Sequence, residues 1–209
     1  MVRGAAKRAG ARALISSPER IRETAKRLFA ERGYEGTSTA EICRLAGTSQ
    51  SQLVKHFTDK QGLLDAVFQH AWEQINPTVR LATQSLPAAR DKLNILTEIV
   101  LNFLLKDREL CAIFLLEGRR IRGDGHMVVL VPGYLEFVKL LDEILNDMAE
   151  RGELRSEIRP AAIRSGLMGA IEGLLRDRLL SRTSKFPASY DDSDVRSVFY
   201  LFFSACLAK

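Results

Sequence analysis

What the chain lacks narrows its chemistry. It has three cysteines in 209 residues, Cys43, Cys111 and Cys206, odd in number, far apart and without a CxxC pair. They are expected to be buried, reduced thiols, not a disulfide framework or a zinc site. The three histidines, His56, His70 and His126, do not cluster with them, so neither a metal nor another cofactor is expected. No apolar run approaches a bilayer span, and a cytoplasmic location is the expectation. Prolines number six, and most fall where a helix would begin. No Ser/His/Asp set, metal cluster or phosphate-cradling glycine loop stands out, so an enzyme is not expected.

Positive charge is what the first part has in excess. Residues 1–60 hold 12 Lys/Arg against 6 Asp/Glu, while the remainder is nearly neutral. That asymmetry points to a polyanion partner for the N-terminal end. Residues 1–16, with Arg3, Lys7, Arg8 and Arg12, read as a flexible basic arm able to add affinity for such a polyanion. With 46% hydrophobic residues the rest can bury a core.

Nearly every periodic segment predicts helix, and no alternating strand pattern survives, so the fold class expected is all-α. Ser17-Pro18-Glu19 predicts a helix start, with Ile21, Ala25, Leu28 and Phe29 on one face and Gly33 as the stop. Three capping boxes follow: Ser38 with Glu41, Ser49 with Gln52, and Thr58 with Gln61. They outline two short helices broken at Ala46-Gly47, then a longer helix to about Ile75. Further helices are expected from Pro87 to Lys106, from Asp107 to Gly118, from Pro132 to Gly152, from Pro160 to Arg182, and from Asp191 or Asp192 onward. Residues 119–131 read as a basic loop.

Residues 38–57 carry the most specific pattern: two short helices around a glycine turn, the helix-turn-helix plan. Ile42, Leu45, Leu53 and Phe57 can form the shared core, leaving Gln50, Ser51, Gln52 and Lys55 on the outer face of the second helix. Amide and ammonium groups there suit base edges in a major groove. Ser38, Thr39, Thr48 and Lys60 lie at helix N-termini, where hydroxyls and backbone N–H groups favour phosphate. The predicted DNA-contacting set is Ser38, Thr39, Thr48, Ser49, Gln50, Ser51, Gln52, Val54, Lys55, His56 and Lys60. The competing reading is a helical adaptor that uses the same helices for protein contacts.

The run Leu28-Phe29-Ala30-Glu31-Arg32-Gly33-Tyr34-Glu35-Gly36-Thr37-Ser38, then Glu41-Ile42, Ala46-Gly47, Leu53, His56-Phe57 and Lys60, resembles the N-terminal domain of the tetracycline-repressor (TetR) family over about residues 18–65. The resemblance implies an all-helical homodimer that inserts residues 49–56 into the major groove of a palindromic operator. It also implies a C-terminal domain that binds a small effector and releases DNA, which makes a repressor the expected function. Val54 stands where the family usually has a phosphate-binding tyrosine, and Ser51 where it tends to have glycine or alanine. The domains expected are the arm at 1–16, the DNA-binding domain at 17–65 and a helical effector-binding and dimerisation domain at 66–209. Candidate pocket walls are Phe68, Trp72, Phe103, Phe114, Tyr134, Phe137 and Ile171; Glu117 could face a cationic ligand, but the favoured reading is that it ends a helix and pairs with Arg119 or Arg120 in solvent. Gly166, Gly169, Ala170, Gly173, Leu174, Val198, Phe199 and Phe202 form the candidate dimer interface.

Overall fold

The computed structural model describes residues 16–116 and 130–208. Within them lie nine helices: α1 (Ser17–Arg32), α2 (Thr39–Ala46), α3 (Gln50–Phe57), α4 (Lys60–Gln84), α5 (Ala89–Lys106), α6 (Arg108–Leu116), α7 (Pro132–Glu150), α8 (Pro160–Thr183) and α9 (Asp192–Ala205). Among the described residues the extended pairing is one isolated antiparallel bridge between Leu154 and Leu207. The all-α expectation is met. The basic arm, Glu117 and most of the 119–131 loop lie outside the described residues.

The chain divides into two compact units, Met1–Ala71 and Trp72–Lys209. In the first, α1 packs on both α2 and α3. Its buried face is Ile21, Ala25, Leu28 and Phe29, the four positions the periodicity selects. Ile42, Cys43 and Ala46 from α2 and Leu53 from α3 close this core, while Leu45 and Phe57 are only half-buried. Burying such aliphatic side chains contributes roughly 1.5–3 kcal/mol each, so these few residues hold two helices too short to persist alone.

In the second unit α5 packs on α7, α7 on α8, and α8 on both α6 and α9. Leu101, Leu104, Leu175 and Val195 form one buried cluster there. Leu93 and Leu96 face inward as expected, but Val100 and Phe103 are only half-buried, and Thr97 and Leu101 fill the inner face instead. Thr97 is tolerated because its hydroxyl donates to the Leu93 carbonyl, 2.8 Å away. All three cysteines are free. Burial pushes the Cys111 thiol up to about 11, which leaves it protonated and unreactive at neutral pH.

Four helix boundaries differ from expectation, one of them the start of α5, which lies at Ala89 and not at Pro87. The cap of α1 is Ser16, whose hydroxyl accepts from Glu19 N–H while the Glu19 carboxylate accepts from Ser16 N–H. Ser17 sits one residue inside and turns its hydroxyl to Thr48, 3.3 Å away. The start of α4 is capped by Asp59, which accepts from Gly62 N–H at 2.8 Å, and not by Thr58. The same helix does not stop near Ile75 but runs through Pro77 to Gln84. Proline costs one backbone bond; Ile75 and Val79, both buried on either side of it, carry the helix past. The Asn76 side chain adds an anchor, donating to the Gly133 carbonyl at 2.9 Å.

Candidate nucleic-acid interface

The turn between α2 and α3 depends on Gly47. Its φ of 65° and ψ of 47° are left-handed, a region glycine enters without steric cost. Its N–H closes α2 against Arg44 and Cys43 carbonyls. Arg20 on α1 donates to the Ala46 carbonyl at 3.2 Å, a further partner for the exposed end of α2. Arg32 grips both carboxylate oxygens of Glu41, at 2.7 and 2.8 Å. Glu41 therefore does not complete the capping box expected with Ser38; Ser38 alone caps, accepting from Glu41 N–H at 3.2 Å. Ser49 caps α3 in the same one-sided way, accepting from Gln52 N–H.

With Leu53 facing the core, the rest of α3 is turned out. Gln50, Ser51, Gln52, Val54, Lys55 and His56 are all exposed, as are the caps Ser38 and Ser49, while Thr39 and Thr48 are half-buried. Val54 leaves 56% of its surface to solvent, a methyl-rich spot between polar neighbours. Ser49 and Ser51 hydroxyls are 2.8 Å apart. The Gln50 amide nitrogen donates to the Thr39 hydroxyl at 3.3 Å. The N-termini of α2 and α3, each with a hydroxyl cap, and the exposed face of α3 thus form one polar, anion-receptive surface.

Lys60 is placed differently from a free phosphate anchor. Its ammonium donates to the carbonyls of Tyr34 at 2.9 Å and Thr37 at 3.1 Å, and lies 4.1 Å from the Tyr34 ring centre. The side chain therefore ties the start of α4 to the turn between α1 and α2. That turn is stitched again by the buried Thr37 hydroxyl, which donates to Leu28 and Gly33 carbonyls.

The link from α3 to α4 is equally tight. Thr58 has φ 67° and ψ −60°, and Asp59 N–H donates to the Phe57 carbonyl at 2.7 Å, so Thr58 sits at the centre of a γ-turn. This conformation is rare and strained for a β-branched residue. Gly62 lets the next turn approach: a Cβ there would lie 2.1 Å from the Phe57 carbonyl oxygen. Neither the γ-turn nor the role of Gly62 was expected from the sequence; glycine three residues past an Asx cap was the available signal.

In the second unit a cavity of about 100 Å³ opens between α4, α5, α6, α7, α8 and α9. Of the residues the sequence nominated, Trp72, Phe114, Tyr134, Phe137 and Ile171 line it. Trp72 is the hub, with the Phe137, Phe114 and Tyr134 rings 4.8, 5.5 and 5.5 Å from it. Phe68 is buried in the first unit, and Phe103 lies away from the cavity, beside Lys106 and Asp107. Leucines, Met168 and Phe199 complete an apolar wall, and Glu172 is the one carboxylate among the described lining residues. Glu172 carried no signal beyond its place one residue after Ile171.

The candidate interface residues divide between two faces. Phe199 is buried and lines the cavity, and Leu174 packs on the subunit's own core cluster. Val198, Leu201 and Phe202 are exposed at 42%, 74% and 39%. Gly169 has open space where a Cβ would project, and a Cβ on Gly166 would touch the Phe202 ring at 3.0 Å. The small-residue strip thus meets the uncovered apolar side chains at Gly166 and Phe202.

Comparison with known proteins agrees with this architecture. Residues 21–67 match the family of bacterial regulatory proteins, tetR family. The nucleoid occlusion factor SlmA of Marinobacter nauticus is 24% identical over 156 residues, covering 73% of this chain and 78% of SlmA. The fatty acid degradation regulator FadR of Bacillus halodurans superposes with a TM-score of 0.76 at 22% identity, over 88% of this chain and 96% of that one. FadR of Bacillus subtilis, solved with stearoyl-CoA, gives 0.77 at 20% identity, over 88% and 97%.

Proposed function

We propose that this chain, whose residues 21–67 match the bacterial regulatory proteins of the tetR family, is a repressor that a small apolar effector releases from a palindromic operator. The observation that carries the DNA half is the exposed face of α3, with Gln50, Gln52 and Lys55 projecting from a helix locked by α1 and α2. These groups read base edges; Ser38, Thr39, Thr48 and Ser49 hold phosphate oxygens through hydroxyls and helix N-termini. Lys55 and His56 stand in for the absent tyrosine at Val54. Lys60 has one N–H beyond the two spent on carbonyls, and its charge favours phosphate wherever the strand passes.

The effector half rests on the cavity around Trp72. Its wall of aliphatic and aromatic side chains favours a ligand with little polar surface. Stearoyl-CoA, bound by the Bacillus subtilis neighbour, makes acyl thioesters the first ligands to test. The dimer half rests on Val198, Leu201 and Phe202 beside the small-residue strip, a surface a second copy covers by two-fold symmetry. No helix among the described residues is long and apolar enough to cross a membrane. A cytoplasmic homodimer is the assembly proposed.

The experiment is selection of bound fragments from random duplex DNA by the full-length protein. A palindromic motif, bound with an affinity that falls steeply as salt rises, is expected. Failure to enrich any two-fold motif at low salt refutes the reading. An association indifferent to salt supports the adaptor alternative.

A further inference from the structure

We propose that Thr39 sets the orientation of the Gln50 amide, so that Gln50 selects adenine over guanine at one position of each half-site. This rests on the reading of α2 and α3 as a DNA-binding helix-turn-helix. Three features of the surface carry it. Gln50 is the first residue of α3 and Thr39 the first of α2, so the short crossing brings two helix N-termini together. The Gln50 amide nitrogen donates to the Thr39 hydroxyl oxygen, 3.3 Å away. The Gln52 and Lys55 side chains, the other two base-facing candidates, are exposed, and of the three it is Gln50 whose side chain is bonded to the neighbouring helix.

Seen in isolation the contact is ambiguous, because a hydroxyl can donate or accept and an amide can turn over. DNA removes the ambiguity. A phosphate oxygen only accepts, and Thr39 has one proton. If that proton goes to phosphate at the N-terminus of α2, the Thr39 oxygen can only accept from Gln50. The Gln50 nitrogen is then held against Thr39, and its carbonyl oxygen faces the groove together with the remaining N–H. That pair matches adenine, whose N6 amino group donates and whose N7 accepts. Guanine offers two acceptors, O6 and N7, and would set an oxygen against the Gln50 carbonyl. Turning the amide over to suit guanine would take the Thr39 proton from the phosphate. Backbone contact and base reading are therefore coupled through one hydroxyl, and the coupling strengthens as bound DNA excludes water from it. Thr39 is a positioning residue, and Gln50 the reader.

The test is selection from random DNA with wild type, Gln50→Ala, Thr39→Val and Thr39→Ser, followed by affinities on paired adenine and guanine operators. Wild type should prefer adenine at the position that Gln50→Ala renders indifferent, by about tenfold. Thr39→Val should lose most of that preference in addition to its general loss of affinity. Thr39→Ser, which keeps the hydroxyl, should retain it. The inference is overturned if Thr39→Val weakens all operators equally with preference intact. It is also overturned if the Gln50 position prefers guanine in the wild type. Should Thr39→Val not fold, a Thr39→Ser protein that loses the preference overturns it as well. A wild type that selects no palindrome removes the underlying DNA-binding reading, an outcome distinct from a palindrome with the wrong base.

Discussion

Replacing Lys60 with methionine keeps the aliphatic stem and removes the ammonium. Two functions are thereby separated. As a clamp, the ammonium joins α4 to the 34–37 turn through carbonyls at 2.9 and 3.1 Å and the Tyr34 ring at 4.1 Å. A hydrogen bond from a charged donor is worth about 1.5–3 kcal/mol net, and an exposed cation–π contact about 0.5–1 kcal/mol. The Tyr34 carbonyl also accepts from Thr37 N–H, so its oxygen stays satisfied after the change. With the half-exposed position taken into account, a loss of about 2 kcal/mol is expected. Amides of 34–46 in the full-length protein should then exchange about 30-fold faster, since each 1.4 kcal/mol is tenfold. Hydrogen–deuterium exchange on the free protein reads this directly. As a phosphate anchor alone, Lys60 would leave exchange unchanged, and its loss would lower the salt slope of DNA binding by about one. Exchange within twofold of wild type, with the slope reduced by one, would refute the clamp.

Two glycines separate steric from conformational need: Gly62→Ala meets a backbone oxygen at 2.1 Å and should cost at least the upper end of roughly 1–3 kcal/mol in thermal or urea unfolding, whereas Gly47→Ala meets nothing and should cost only about 1–2 kcal/mol of left-handed strain. Equal losses would show that the close approach at Gly62 relaxes freely. Phe202→Asp and Gly169→Glu should both yield monomers by sedimentation, because each puts a charge on the uncovered strip; a wild type that is itself monomeric at micromolar concentration defeats that expectation. The Ser16 hydroxyl and backbone N–H hold the Glu19 carboxyl below its ordinary value of 4.5. A depressed carboxylate stabilises above its unfolded pKa, so the cap of α1 should be intact at pH 6 and fray as pH falls through the lowered value of Glu19; first-turn amides whose protection is the same at pH 6 and under strongly acidic conditions would contradict this.

Local chemistry explains why the first unit was readable from sequence. A serine cap, a glycine stop and a period of 3.6 act within one or two turns, so Ser38, Gly47 and the Ile21–Phe29 face declare themselves without knowledge of distant residues. What escaped was set by side-chain partners and packing outside the local capping turn. Glu41 reads as half of a capping box, but one guanidinium nitrogen of Arg32 reaches both of its carboxylate oxygens, and these charge-assisted contacts outcompete one backbone N–H. Pro77 reads as a helix end, but Ile75 and Val79 bury against the second unit's core, and that gain exceeds one lost backbone bond. Phe199 reads as an interface residue because α9 is apolar on two sides; only packing decides that Val195, Phe199 and Phe203 turn inward while Val198, Leu201 and Phe202 do not.

The same contrast bears on how the recognition surface is held. The ends of α3 are fixed by backbone geometry that tolerates little change: a left-handed glycine before it, a strained threonine γ-turn after it, and a carbonyl too close to Gly62 for any side chain. Its outward face carries polar side chains with few internal partners. A rigid seat under an unencumbered face lets base-reading residues vary without loss of fold, because their contribution to stability is small. In the repressor proposed above, a displacement of the first turn of α4 would be passed to α3 through Phe57–Gly62 with little slack. Interposing flexibility there, by inserting two glycines between Thr58 and Asp59, should leave DNA affinity of the free protein lowered but present, while any effector's power to release DNA falls toward zero. An insertion that preserves full effector response would show that α3 is governed by some other route.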